Sequence, residues 1–233
     1  LIFCKIYDEK YTRPSDMVKF RCGVGEDPEQ VSLRIDIIFY GVKERYPDVI
    51  DSEDVINLDP KSICYVVSQL QRFCLIEAER DAIGDAFEVF IGHALKGAQG
   101  QFFTPKNVVK MIINMMDIKI TDKIIDPCCG SGGFLIEALK NVWQKADKKY
   151  IDLGWPDKEI EIEKQKIAIE NFRGIDKDDF LSKVSKAQMA VLGDGRCGIF
   201  CENSLDIPTK WKSKTRDKIE LGKFDILITN PPY

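Results

Sequence analysis

The sequence holds a single histidine, His93, among 233 residues, and no CxxC pair. One histidine disfavours a Ser-His or Cys-His nucleophile. The eight cysteines stand at positions 4, 22, 64, 74, 128, 129, 197 and 201. Cys197 and Cys201 form one spaced pair with no partner pair, so no structural zinc or other metal site is expected. A chain of this size needs no disulfide staples, and its cysteines read as reduced thiols of a cytoplasmic protein. No apolar run approaches the about 18 residues that a membrane span needs. The opening Leu1-Ile2-Phe3-Cys4 is too short for a signal-peptide core, and no basic stretch precedes it. Nor is there a basic excess, since the net charge is −4. Neutralising phosphates supplies most DNA affinity, so this segment is not expected to grip DNA alone. It can still act on DNA that another domain or subunit holds. What remains is 44% apolar and 31% charged residues without repeats or low-complexity tracts, a globular composition able to bury a core.

Two kinds of patterning follow one another along the chain. Residues 1–97 read as an all-α N-terminal domain. Glu29 to Glu44 sets Val31, Ile35, Ile38 and Val42 at helical steps, and Asp59-Pro60 makes an N-cap and first-turn pair before Ile63, Val66, Val67 and Leu70. Asp81 to Leu95 repeats the pattern with Ile83, Phe87, Phe90 and Ile91. Gly97 to Gly100 reads as a hinge. In residues 98–233, Thr104-Pro105 is expected to cap a helix carrying Val108, Val109, Ile112, Ile113 and Met116. Four short strands are then predicted, at Lys123–Asp126, Phe172–Asp176, Gly198–Asn203 and Phe224–Asn230, with helices between them. Trp155 to Glu170 is expected to be a solvated inserted helix. The alternation predicts an α/β fold, a parallel sheet with helices on its faces.

Three strand ends carry chemistry. Asp126 is followed by Pro127-Cys128-Cys129-Gly130-Ser131-Gly132-Gly133. An acid, a Gly-rich turn and a helix start could cradle a phosphate or a carboxylate, since glycine lets the backbone come close and a helix N-terminus offers free N–H groups. The same residues could equally form an ordinary tight turn. The glycine spacing matches neither the dinucleotide fingerprint nor a phosphate-binding loop. Asp176, at the end of the second strand, is placed to accept from ribose hydroxyls, although its interval from Asp126 exceeds the usual about 20 residues. Asp178 and Asp179 compete for the part. Asn230-Pro231-Pro232-Tyr233 follows the fourth strand. An exocyclic base amine is a poor nucleophile because its lone pair is delocalised into the ring. The Asn side-chain oxygen and the next carbonyl can accept from it out of the ring plane and free that lone pair. Consecutive prolines stiffen the carbonyl's backbone, and the aromatic residue can stack on an extruded base. A Pro-rich turn after a core strand is the bland alternative.

These motifs, in this order, resemble those of class I S-adenosylmethionine-dependent methyltransferases, and NPPY resembles the tetrapeptide of adenine-N6 amino-methyltransferases. Gly100-Gln101-Phe102-Phe103-Thr104-Pro105 followed by Asp126 to Leu139 resembles the modification (M) subunit of type I restriction–modification systems, over Gly84 to Tyr233. The resemblance implies a Rossmann-like sheet, transfer of a methyl group from S-adenosyl-L-methionine to adenine N6 in DNA, and a helical N-terminal domain. It implies a cofactor site at Gln101, Phe102, Phe103, Thr104, Pro105, Lys106, Asp126, Ser131, Gly132, Gly133, Asp176 and Asn203. It implies a catalytic set of Asn230, Pro231, Pro232 and Tyr233. Of Phe102 and Phe103, one is expected in the core and one in the pocket. Cys128-Cys129 departs slightly from the Ala-Cys common in the family. Partners implied are DNA, a specificity subunit or domain and a restriction nuclease subunit, with no membrane.

Two other classes stay open on sequence: a methyltransferase for RNA or a protein glutamine, and a cofactor-binding scaffold without turnover. Thr209 to Lys218 holds Lys210, Lys212, Lys214, Arg216 and Lys218 against Asp217 around Trp211. It reads as a solvated mobile loop in preference to a DNA-backbone contact. The complete family sheet resembles a seven-stranded one. The chain opens at Leu1 and closes inside NPPY, so it is expected to be the front part of a longer protein.

Overall fold

The computed structural model describes residues 1–13, 15–47, 50, 52–75, 104–192 and 198–231. The expected helix over Asp81–Leu95 and the Gly97–Gly100 hinge lie outside them. The chain divides into two compact units, Leu1–Phe87 and Glu88–Tyr233.

In the first unit three helices are described, α1 (Ile2–Tyr11), α2 (Pro28–Arg45) and α3 (Pro60–Leu70). Helix α2 buries Val31, Ile35, Ile38 and Val42, the face that the periodicity predicts. Asp59 caps α3 by accepting from the N–H groups of Lys61 and Ser62. Polar side chains tie the connections down. Buried Asp8 accepts the Phe20 N–H at 2.7 Å. Arg34 forks onto Glu26 at 2.6 and 3.0 Å and donates to the Arg21 carbonyl. The Arg34 hydrogen bonds hold the Glu26 carboxyl down to about 2, helped by the Gly23 N–H.

The second unit runs α4 (Lys106–Met115), β1 (Ile124–Asp126), α5 (Gly133–Asp152), α6 (Asp157–Asn171), β2 (Phe172–Asp176), α7 (Asp179–Leu192), β3 (Ile199–Cys201), a 3-10 turn (Pro208–Lys210), α8 (Ser213–Arg216) and β4 (Ile226–Leu227). The sheet is parallel throughout, in the order β3-β2-β1-β4. All four predicted strands are present, each within its expected range. The last is reduced to two residues, although the Ile228 N–H still bonds the Ile125 carbonyl at 3.0 Å.

Alternate strand residues feed two cores, as the period of two requires. Ile124, Phe172 and Ile199 join Leu135, Leu139, Val142 and Met189 on the helix-covered face. Ile125, Ile175 and Phe200 join Trp211 and Ile219 on the other. A parallel strand buried on both faces reads as an unbroken apolar run, as Ile124-Ile125 in β1 does, whereas β2 carries Arg173 within it.

Two expectations change. Helix α6 is the expected helix with most of its surface in solvent, but it is anchored to the core along one face. It buries Ile160, Lys164, Ile167 and Ala168, runs straight into β2, and accepts the Trp143 Nε1–H on the Lys164 carbonyl at 2.9 Å. Of its isoleucines, only Ile162 and Ile169, the other seven-spaced pair, face out. The Thr209–Lys218 segment is not a mobile loop. Trp211, Thr215 and Ile219 are buried at every fourth residue, and Glu202 accepts from the Lys212 N–H at 2.8 Å and the Thr215 hydroxyl at 2.9 Å. The lysines gave a polar average that hid this three-residue anchor.

No helix among the described residues is long and apolar enough to cross a membrane. The seven described cysteines are free thiols, and the sulfurs of Cys22 and Cys64 lie 2.8 Å apart.

Trp211 fills the second core and donates from Nε1 to the Asn203 carbonyl at 2.9 Å. Truncating it in Trp211→Ala is expected to cost about 3–5 kcal/mol, read as a lowered urea midpoint by circular dichroism. A wild-type midpoint would show that the segment is not anchored.

Candidate functional site

Strand order reverses between β1 and β4, because the chain moves from β1 outward through β2 and β3 and then returns to β1's other side. In open parallel sheets a ligand crevice opens at the carboxyl ends of the strands at such a reversal. Asp126 ends β1 there, Asp176 ends β2, Asn203 follows β3, and Asn230 follows β4.

Asp126 is 1% exposed. Its Oδ1 accepts the Cys128 N–H at 3.1 Å. Burial pushes its carboxyl up from the ordinary 3.8 to about 6. The Thr229 hydroxyl and the Cys128 amide oppose the rise, and the nearby Asp176 charge adds to it. The Thr229 oxygen is buried yet lacks a well-formed hydrogen bond. Burial also drives the Cys129 thiol well above its ordinary range, with the two carboxylates adding to the effect, so Cys129 stays protonated.

The turn after β1 is held against the end of β2. The Cys129 N–H donates to the Ile175 carbonyl at 2.9 Å, and the Gly130 N–H donates to Asp176 Oδ2 at 2.8 Å. Asp176 Oδ1 accepts the Asp178 N–H at 2.9 Å. Asp178 itself caps α7, accepting the Leu181 N–H at 3.0 Å, which separates the three competing acids. Gly130 and Gly132 sit at φ +52° and +88°, the left-handed region that favours glycine. A side chain at Gly132 would also meet the Ser185 hydroxyl at 2.5 Å, whereas Gly130 and Gly133 face open space. Ser131 is half-buried. Cys128 Sγ lies 3.9 Å from Ser204 Oγ, so the turns after β1 and β3 meet across the end of β2.

Asn203 is exposed. Its side-chain oxygen accepts the Leu205 N–H at 3.2 Å, and its carbonyl holds Trp211. Asn230 donates from Nδ2 to the Thr104 hydroxyl at 2.9 Å. Thr104 does not cap α4: the N-cap position is Pro105, with no side-chain cap bond. Pro105, Lys106 and Pro231 are exposed. Gln101, Phe102, Phe103, Pro232 and Tyr233 lie outside the described residues. Sequence reasoning missed Thr229, Ser185 and Glu202. Thr229 had a signal, since it directly precedes Asn230 at a strand end. Ser185 had none, because its role is contact with a glycine 53 positions away.

A family model described as N-6 DNA methylase matches residues 78–233. The chain belongs to the N-6 DNA methylase family. Among curated relatives it is 27% identical over 211 residues to the type I restriction enzyme MjaIX methylase subunit of Methanocaldococcus jannaschii, covering 85% of this chain and 32% of that one. It is 27% identical over 158 residues to the EcoEI methylase subunit of Escherichia coli, covering 66% of this chain and 28% of the relative. The chain thus spans less than a third of the length of these relatives. A solved structure, the type I restriction enzyme EcoKI M protein, is 19% identical with a TM-score of 0.42, over 100% of this chain and 42% of that one.

The unfolded chain releases the Asp126 proton near 3.8, and the folded state keeps it to about 6. The folded state therefore binds more protons across that window, and stability falls as pH rises through it, by on the order of 3 kcal/mol. In Asp126→Asn this fall is expected to vanish. Urea midpoints of both proteins from pH 4 to 7 check it; a constant gap between them would contradict the assignment.

Proposed function

We propose that the protein containing this chain transfers a methyl group from S-adenosyl-L-methionine to N6 of adenine in DNA, as the modification component of a restriction–modification system. The observation that carries this reading is the placement of Asn230 three residues past the end of β4, at the same edge of the sheet as the buried Asp126 that ends the neighbouring β1, where strand order reverses. The family membership supports the substrate class.

The residues present fit such a donor. Gly130 and Gly133 leave space where a side chain would stand, and Asp126 is a buried acid with the Thr229 hydroxyl at its side. Asp126 and the Ser131-Gly132-Gly133 turn would hold the methionine end, with the segment from Gln101 to Lys106 bordering it. Asp176 would accept from the ribose through lone pairs not used by Gly130 and Asp178, and Asn203 would reach the adenine ring. The donor supplies, when bound, an electrophilic methyl group on a sulfonium, which leaves as a neutral thioether.

The chain's own residues then prepare the amine. Asn230 Oδ1 has no partner among the described residues, because Nδ2 takes the Thr104 hydroxyl. Together with the Pro231 carbonyl it would accept both amine hydrogens and localise the lone pair on nitrogen, and the proton released after transfer passes to solvent. Tyr233 would stack on the extruded base, with Pro232 stiffening the link. The helical region 1–97 and the methyltransferase region 98–233 act as separate domains in this reading. DNA is held with a specificity subunit or domain and a restriction nuclease subunit, in the cytoplasm.

In the full-length protein assembled with its partners, Asn230→Ala is expected to lower N6-methyladenine formation by at least about 100-fold, read by mass spectrometry of the DNA. Wild-type rates would remove Asn230 from the mechanism. A cation arriving beside Asp126 lowers its pKa from about 6. Donor binding at pH 6 should therefore release a proton, and affinity should rise from pH 5 to 7. Calorimetry in buffers of different ionisation enthalpy reads this; a buffer-independent enthalpy at pH 6 contradicts it.

A further inference from the structure

We infer that Thr104 is a positioning residue for Asn230, orienting its carboxamide so that the oxygen, not the nitrogen, meets the target amine. This rests on the reading of Asn230 as the acceptor of that amine. The two residues are 126 positions apart, and Asn230 Nδ2 donates to Thr104 Oγ1 at 2.9 Å.

A carboxamide has a donor end and an acceptor end of nearly the same shape. An amine substrate is a donor, so only one of the two orientations is productive. With Nδ2 turned to Thr104, Oδ1 is the end left for the base. In the flipped state two NH2 groups would face each other. A hydroxyl can accept or donate, so Thr104 tolerates the free enzyme in either state. Once an amine donor occupies Oδ1, only the state in which Thr104 accepts satisfies all three groups.

Two features show that Thr104 is kept for this bond. A threonine at a helix start ordinarily caps the first turn. Here Thr104 stands one residue too early, the first-turn N–H groups of Val108 and Val109 bond the Pro105 carbonyl, and no side chain caps α4. The hydroxyl is thus not spent on the helix. The helix is in turn rigidly seated, since Val109 and Ile113 are buried in the main core. Thr104 is therefore held by packed structure on one side of the crevice, and Asn230 by the end of β4 on the other. The bond lies at the exposed mouth of the site, where a substrate can reach it.

The test uses the full-length protein in its methylating assembly, with single-turnover rates and calorimetric donor affinity measured for each variant. Thr104→Val keeps shape and removes the hydroxyl. It is expected to slow methyl transfer by about 10- to 100-fold, far more than it weakens donor affinity. Thr104→Ser is expected to restore the rate to within about threefold of wild type. In an Asn230→Ala background, Thr104→Val should add no further loss. A normal rate in Thr104→Val, beside a collapse in Asn230→Ala, overturns the role of Thr104 alone. A loss of donor affinity in proportion to the rate also overturns it, because Thr104 would then serve the cofactor. Normal rates in both Asn230→Ala and Thr104→Val would instead overturn the underlying reading of Asn230.

Discussion

The turn that follows β1 can exist only because carboxylates take up its backbone N–H groups. Asp126 accepts from Cys128, Asp176 accepts from Gly130, and the Ile175 carbonyl accepts from Cys129. Left-handed glycines have no side chains to pin them, and the amides of a tight turn near a core need partners. Three bonds from two neighbouring strand ends supply those partners. The cost is a pair of acids close together, one of them buried, and it is visible in the raised Asp126 carboxyl. A site built this way is poised for a cation, whose arrival stabilises the buried Asp126 carboxylate.

The same strand ends set the rest of the layout. With β1, β2 and β3 laid down in one direction, helices α5, α6 and α7 cover one face. The return to β4 crosses the other, where Trp211 and Ile219 fill the second core. That return path carries Glu202, Asn203 and the exposed lysines past the end of β3 before delivering Asn230 to the same edge of the sheet as Asp126. The site is therefore a consequence of the crossover, and the basic segment is fixed to the sheet rather than free to swing.

Much of this was legible in advance. The face of α2, the Asp59 cap, the Gly-rich turn and all four strands follow from local periodicity and turn chemistry, which act over a few residues. The misreadings share a cause. Helix α6 and the Thr209–Lys218 segment are rich in charge, so their composition suggested solvent, yet each buries a few residues in a core whose other walls are remote in sequence. Thr104 was read as a cap by its position before a helix, and its partner is instead Asn230. No local pattern encodes which of two available acceptors a hydroxyl or amide will meet.

By itself the sequence determined that strands end on Asp126 and Asp176 and that Asn230 follows the last strand, because short apolar runs followed by glycine, proline or acid favour a strand end. It also placed Asn230-Pro231-Pro232-Tyr233 just after the fourth strand. Only the tertiary structure decided that Asp176 holds Gly130, that Ser185 fills the space against Gly132, and that Thr104 reaches Asn230. These are contacts between groups tens of residues or more apart. They form because the fold brings the carboxyl ends of the parallel strands and the turns and helices beside them to one edge.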